Sequence, residues 1–328
     1  MSTSVTPATL AAGLPVMRRV RAYFAPVNRS AGAPTIFDPS ALGGFNLNAP
    51  PAPWVDLGWV EKFTRKSASK IAPLRSGSPA TAQSQVRQEM EAAVSLQFLS
   101  WGKLQMALTA GSQHMNLLQT QAGASPSGSG GAAIAATPLT AGSTASQLNL
   151  TAAQVALFTI GQMVAVDVDY AGQTGFVGSG VSAAYVKAAS LVQNDVNYVR
   201  RVSFNVGRVA ALNAGGLQLA SPLLAGAPSI GMKLQPLLGF VDREGGSFFH
   251  EWSALFVVPG EQGDRVIFHY PRLQSTQSGA EAAVVLSAPL ERIGLEGAFR
   301  ALPVTDATDG EQVLCFRSYL PAASTQLW

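Results

Sequence analysis

Three histidines, one cysteine and two closely spaced aspartates are the residues of this 328-residue chain best suited to nucleophilic, acid–base or metal chemistry. His114, His250 and His269 stand apart, and none belongs to an H-x-x-x-H pair that would present two imidazoles to one ion. Cys315 has no second thiol with which to form a disulfide or a thiolate metal site, and it reads as a small core residue. Asp167 and Asp169 fall on one face of a predicted strand, as paired acid–base carboxylates would, but a solvated strand face is the commoner reading. His250 and Glu251 are adjacent in a strand pattern and so point to opposite faces. Neither a G-x-S-x-G elbow nor a G-x-x-x-x-G-K-[ST] loop occurs. Gly178–Ala183 formally fits G-x-G-x-x-A, yet no clean strand precedes it, so it reads as a glycine-rich turn. The chain is therefore expected to be no enzyme and to need no cofactor or metal.

The elements that would have to position a site point the same way. Apolar residues make up an ordinary 47% of the chain, while charged residues make up only 12%, about half the usual quarter. The deficit is localised, because Pro39–Val55, Leu104–Val166 and Val209–Met232 contain no Asp, Glu, Lys or Arg. Disordered segments pair low hydrophobicity with high charge, and these three have neither property. A soluble monomer keeps its surface wet with charges, so the uncharged blocks are expected to be contact segments between subunits. Apolar stretches such as Val155–Val166 and Val284–Leu290 are too short and interrupted for a spanning helix, which needs roughly 20 residues. Segment length says nothing against a transmembrane β-barrel. Arg18, Arg19 and Arg21 follow the small apolar stretch Leu10–Val16 instead of preceding it, so no secretory signal is expected. A net charge of +3 is too small and too dispersed to indicate nucleic-acid recognition.

Periodicity predicts a mainly β chain. Residues 1–53, rich in Ala, Pro and Asn, read as an extended arm. Trp54–Phe63 and Ala68–Leu74 read as two strands joined by the polar turn Thr64–Ser67, or as the two sides of a longer hairpin. In Gln83–Ser100, Val94, Leu96 and Phe98 alternate with polar residues, the period-two mark of a half-buried strand. Ser100 is placed to cap a short helix, Trp101–Thr109, which ends at Gly111 with Trp101, Leu104 and Leu108 on one face. Met163–Tyr170 and Tyr198–Val209 alternate as strands, and Gln121–Gln147 has the composition of a Gly/Ser-rich linker. Phe248–Val258, Arg265–Tyr270, Ala282–Ala288, Leu290–Ala301 and Gln312–Tyr319 then follow as strands, with turn signals including Pro271 between them. Regular short strands of this kind predict an antiparallel β-sandwich or barrel.

Trp54-Val-Asp-Leu-Gly58-Trp with the basic stretch after it, Pro73-Leu-Arg-Ser-Gly77, and the strand and helix Glu91–Leu108 together resemble the tail tube (major tail) proteins of long-tailed phages. Asp264–Leu273 and Gly297–Val304, followed by a closing strand, resemble the last strands of that sandwich. The likeness covers about residues 54–110 and 240–320. It implies a tube-type β-sandwich over 54–110 and 211–328 with a flanking short helix, an N-terminal arm over 1–53, and a central insertion over 111–210. It further implies a long hairpin pairing edge to edge with the next subunit, and hexameric rings stacked into a channel for DNA. Lys62, Arg65, Lys66 and Lys70 would then face an acidic neighbour or the lumen, against the plainer reading of a solvated turn. The partners implied are the chain itself, the tape-measure, terminator and baseplate proteins, and transiting DNA held without sequence specificity. The implied location is the virion tail, assembled in the host cytoplasm. A virion decoration or carbohydrate-binding β-sandwich is the alternative.

Overall fold

Side chains that alternate between a buried and an exposed face build most of this chain into antiparallel strands. The computed structural model describes residues 19–27, 33–40, 46, 48, 50, 51, 53–119, 134–167, 200–244, 250–260, 263–277, 280–287 and 290–321. In chain order the strands are β1 (Val20–Pro26), β2 (Val55–Ser76), β3 (Thr81–Phe98), β4 (Gln113–Leu118), β5 (Thr137–Pro138), β6 (Gln147–Asn149), β7 (Met163–Asp167), β8 (Val206–Asn213) and β9 (Gly216–Leu219). They continue as β10 (Lys233–Arg243), β11 (Glu251–Pro259), β12 (Arg265–Ser275), β13 (Ala280–Ser287), β14 (Leu290–Ala301), β15 (Val304–Thr305), β16 (Gln312–Val313) and β17 (Phe316–Leu320). Helix α1 (Lys103–Ala110) follows β3, α2 (Ala152–Val155) follows β6, and a π-helical turn, Arg200–Phe204, precedes β8.

The larger sheet runs β13-β14-β3-β2-β1-β11-β12-β17, and β12 also pairs with β14. That extra pairing closes β14, β3, β2, β1, β11 and β12 into a ring, with β13 and β17 as flaps outside it. Phe24 occupies the centre of the ring. Its side chain meets Phe299 at 5.8 Å, Phe256 at 5.9 Å, Trp252 at 6.4 Å and Phe98 at 6.5 Å between centroids, the spacing at which aromatic pairs attract. Leu104 and Leu108 of α1, with Val202 and Phe204 of the π-helical turn, join the same core. The outer side of β1 and β11 is covered as well, by Trp54, Ile267, Phe37 and Leu320 packed on Tyr23, Leu255 and Val257. Strand β11 is therefore buried on both faces, which accounts for its nearly unbroken apolar run.

The second sheet runs β4-β10-β7-β8-β9-β6, with β5 added to β10. Its own core contains Leu148, Phe158, Val164, Val166, Leu217 and Leu234. Gly216 closes the β8–β9 turn at φ +149, and a Cβ there would lie 2.0 Å from the Leu148 carbonyl oxygen, so only glycine fits.

Several expectations change. The stretch expected to be an arm contains β1, which hydrogen-bonds to β2 on one side and β11 on the other. Composition hid it because its seven residues are surrounded by Ala and Pro. Val55–Ser76 is one continuous strand, neither two strands around a turn at Thr64–Ser67 nor the two sides of a hairpin, whose second side is β3. Gly102, not Ser100, stands at the start of α1, and the Ser100 hydroxyl donates instead to the Leu57 carbonyl. Gly111 does end the helix, in the left-handed region at φ 60. Leu104 and Leu108 are buried, while Trp101 is exposed. Residues 200–204 coil into the π-helical turn, so only the end of the expected strand Tyr198–Val209 survives, as the start of β8. Pro271 lies inside β12 and makes no turn, because its carbonyl accepts the Ser253 hydroxyl across the strand pair. The second sheet also takes in residues 206–243, beyond the expected insertion boundary at 210. Asp167 is buried rather than solvated, while Asp169 and Gly178–Ala183 lie outside the described residues.

Replacing Phe24 with Ala should lower the unfolding free energy by about 3–5 kcal/mol, the usual cost of emptying a fully packed phenylalanine site. Chemical denaturation of the two proteins measures this, and an unchanged midpoint would mean that residues 20–26 are an arm after all.

Candidate assembly surface

The hairpin of β2 and β3 begins inside the ring and ends outside it. Strand β1 covers the outer edge of β2 only along Val55–Val60, and β14 covers β3 only along Ala93–Phe98. Beyond those limits the two strands pair with each other alone, from Ser67–Ala92 to Ser76–Thr81. From 66 to 91 every residue is exposed apart from Ala72, which is half-buried. A two-stranded ribbon is only marginally stable by itself in water, and its two free edges are templates for further strands.

The root of the ribbon is fixed. Between the pairs Glu61–Gln97 and Thr64–Ser95, two residues of β2 face one of β3, and this bulge holds Lys62 at φ 50. Phe63 then packs at 5.0 Å from Phe256 and 5.7 Å from Phe268. The Arg65 Nε–H donates to the Tyr270 hydroxyl at 3.0 Å, with the guanidinium 5.2 Å from the Phe268 ring. Burial works against the charge on Arg65, but Tyr270 and Cys315 outweigh it and raise its pKa.

The four basic residues singled out in the sequence do not form one patch. Lys62 sits in the bulge and pairs with Glu296 at 2.8 Å. Strand alternation places Lys66 and Lys70 on one face, opposite Ala93 and Glu89, and Lys70 pairs with Glu89 at 3.2 Å. Arg65 is on the other face, opposite the buried Val94. Exposed surface ion pairs of this kind contribute little to stability.

What the ribbon offers most abundantly is apolar. Ile71, Leu74, Val86 and Met90 are 49%, 54%, 46% and 40% exposed. Leu74 and Val86 share a face with Ala72, while Ile71, Pro73 and Met90 share the opposite one. The edges carry guards too: further register shifts at Lys70/Ile71 and Leu74/Arg75, the two lysines, and Pro73. Such devices suppress indiscriminate strand pairing. A second opening lies beside the edge strand β17, a groove of about 710 Å³ lined by Pro34, Ile36, Phe37, His269 and Phe316. His269 is aromatic packing there, stacked at 5.7 Å on Phe316 and edge-on to Trp54, and burial lowers its pKa to about 4.

The nearest approach to chemical machinery lies at the seam between α1 and the second sheet. The Lys103 ammonium donates to Asn116 Oδ1 at 2.7 Å and to the Val202 carbonyl. His114 Nε2 lies 2.7 Å from the Ser203 hydroxyl, and the Ser112 hydroxyl donates to Asp242 at 2.8 Å. Burial lowers the Lys103 pKa to about 7. It also lowers that of His114, helped by Lys103 and His250. A serine bonded to a neutral histidine beside a near-neutral lysine could transfer protons. The adjoining cavity, between Leu108, His114, His250 and Trp252, holds only about 20 Å³, room for a single water and no substrate. We read the cluster as the polar seam joining the two sheets. No sequence signal marked it, because Lys103, His114 and Ser203 meet only through the fold. Among the described residues no group of three or more His, Cys, Asp and Glu could hold a metal ion, and no helix is long and apolar enough to cross a membrane. No family model and no curated protein matches the chain.

The seam makes stability depend on pH. The folded Lys103 titrates near 7 and the unfolded one near its ordinary value, 10.5. Folding therefore expels a proton between those values, and the penalty is complete below pH 7 and fades as pH rises. Stability should climb between pH 7 and 9.5, on the order of 1 kcal/mol per pH unit. Two other groups work in the opposite direction: Cys315, whose thiol burial pushes above its ordinary 9.0, trims the climb at the top of that range, and Tyr270, whose pKa burial raises to about 12, opposes it above pH 10. Lys103→Met should flatten that climb, as measured by chemical denaturation at three pH values.

Proposed function

We propose that this chain is a structural subunit of a phage tail tube, assembling with copies of itself into hexameric rings that stack around a channel for DNA. The observation that carries the reading is the ribbon: some forty residues of hairpin, half of them projecting with two uncovered edges and apolar side chains on both faces. Edge pairing between neighbouring hairpins would cover the backbone groups and set Leu74 and Val86 on one face, and Ile71 and Met90 on the other, against side chains of the next hairpin. Identical contacts made head to tail close into a ring when the rotation per subunit divides a full turn. The ring of strands supplies the rigid base, and the uncharged stretches Leu104–Val166 and Val209–Met232 supply further surface that needs no ionic hydration. Ser67, Ser69, Gln83, Ser84, Gln85 and Gln88 add uncharged polar side chains to the ribbon. On this reading the protein catalyses nothing. Its partners are its own copies, the tape-measure, terminator and baseplate proteins, and DNA in transit, and it works in the virion tail after assembly in the host cytoplasm.

Electron microscopy of the purified protein tests this directly. Rings or tubes with an open channel are the expected result, and a monodisperse monomer at high concentration would overturn the reading. The double variant I71K/L74K should abolish those assemblies while leaving the far-ultraviolet circular dichroism of the subunit unchanged, since neither side chain is buried within it.

A further inference from the structure

Where the inner face of the ribbon passes over the strip 312–317, it encloses an open cavity of about 390 Å³. Three arginines line it from three strands: Arg65 of β2, Arg87 of β3 and Arg317 of β17. The rest of the lining consists of Ser67, Met90, Ala92 and residues 312–315, with no carboxylate. We propose that this cavity is a binding site for a phosphate oxyanion.

Three features carry the proposal. The first is the absence of compensation. Arg21 pairs with Asp56 and Arg272 with Glu251, whereas Arg65, Arg87 and Arg317 make no ion pair among the described residues. Arg65 is satisfied by Tyr270 and lies 3.5 Å from the Ser67 hydroxyl, and Arg87 touches only the Met90 sulfur, at 3.9 Å. Cys315 does not supply the missing charge either, because burial raises its pKa and keeps the thiol protonated. Three guanidinium groups around one opening with no carboxylate leave it net positive, and that potential favours an anion.

The second is preorganisation. Arg65 is held by the Tyr270 hydroxyl and the Phe268 face, so its fork is positioned before any ligand arrives. Ser67 adds a hydroxyl to the same lining. The third is shape. Guanidinium forks approaching from three separate strands suit a tetrahedral anion with three or four oxygens, where a planar carboxylate offers two. A cavity of this volume also leaves room for what the phosphate is attached to. The site does not depend on the assembly reading, since all its residues belong to one subunit.

Thermal unfolding with inorganic pyrophosphate, against sodium chloride at equal ionic strength, tests the site. Pyrophosphate should raise the midpoint by several degrees, and R87Q/R317Q should abolish that rise. Both side chains are exposed, so the variant's midpoint without ligand should equal that of the unmodified protein. A short single-stranded oligonucleotide, titrated in parallel, separates the two sources of the group. A rise with both ligands assigns the site to a phosphodiester backbone, and a rise with pyrophosphate alone assigns it to a free phosphate compound. No rise above the chloride control, or an equal rise in R87Q/R317Q, would overturn the proposal.

Discussion

Closure of the main sheet rests on three residue pairs, Leu273 with Ala301, Gln274 with Arg300 and Ser275 with Phe299, through which β12 meets β14. Without them the eight strands would form an open sheet with two long edges. With them the ring acquires an inside, and an apolar side chain at every second position has somewhere to go. Phe24, Phe98, Phe256 and Phe299 meet there. Helix α1 and the π-helical turn add Leu104, Leu108, Val202 and Phe204 to the same core, so the second sheet is joined to the ring through apolar contact as well as through the chain.

Closure also fixes where the hairpin must leave. β1 and β14 are too short to follow β2 and β3 for their full length, and the strands outrun their neighbours at Glu61 and Ala92. The bulge at Lys62 turns the chain there, and Phe63 and Arg65 anchor it to β11 and β12. A rigid root with an uncovered ribbon is a strained compromise for a lone subunit, because ordering those residues costs conformational entropy that little burial offsets. Another surface laid over the ribbon would resolve the compromise. The same geometry brings Arg65 and Arg87 to one cavity with Arg317, so the candidate assembly surface and the proposed oxyanion site both follow from one exit angle.

Burial is less generous at the seam. Lys103 lies at a depth where charge is costly, and its bonds to Asn116 and Val202 hold the amine without supplying a countercharge. The two sheets therefore meet across a joint that is satisfied in hydrogen bonds but electrostatically open. That is a softer junction than the aromatic centre of the ring.

The amino-acid sequence by itself determined the strand character of most of the chain, the helix that stops at Gly111, the strand Leu290–Ala301 and the poverty of charge. These follow from nearest-neighbour physics: alternation along a strand, the left-handed tolerance of glycine, and composition. Tertiary structure alone decided that Val20–Pro26 belongs at the centre of the ring, because seven residues acquire their meaning only between β2 and β11. It likewise decided that Arg200–Phe204 coils where alternation predicted a strand, with Val202 and Phe204 packed into the ring's core. The basic residues of the hairpin were legible as charges but not as a surface. Pairing register and one bulge sent Lys66 and Lys70 to one face, Arg65 to the other, and Lys62 to Glu296. Register is a property of two strands, and a single strand's sequence carries only half of it.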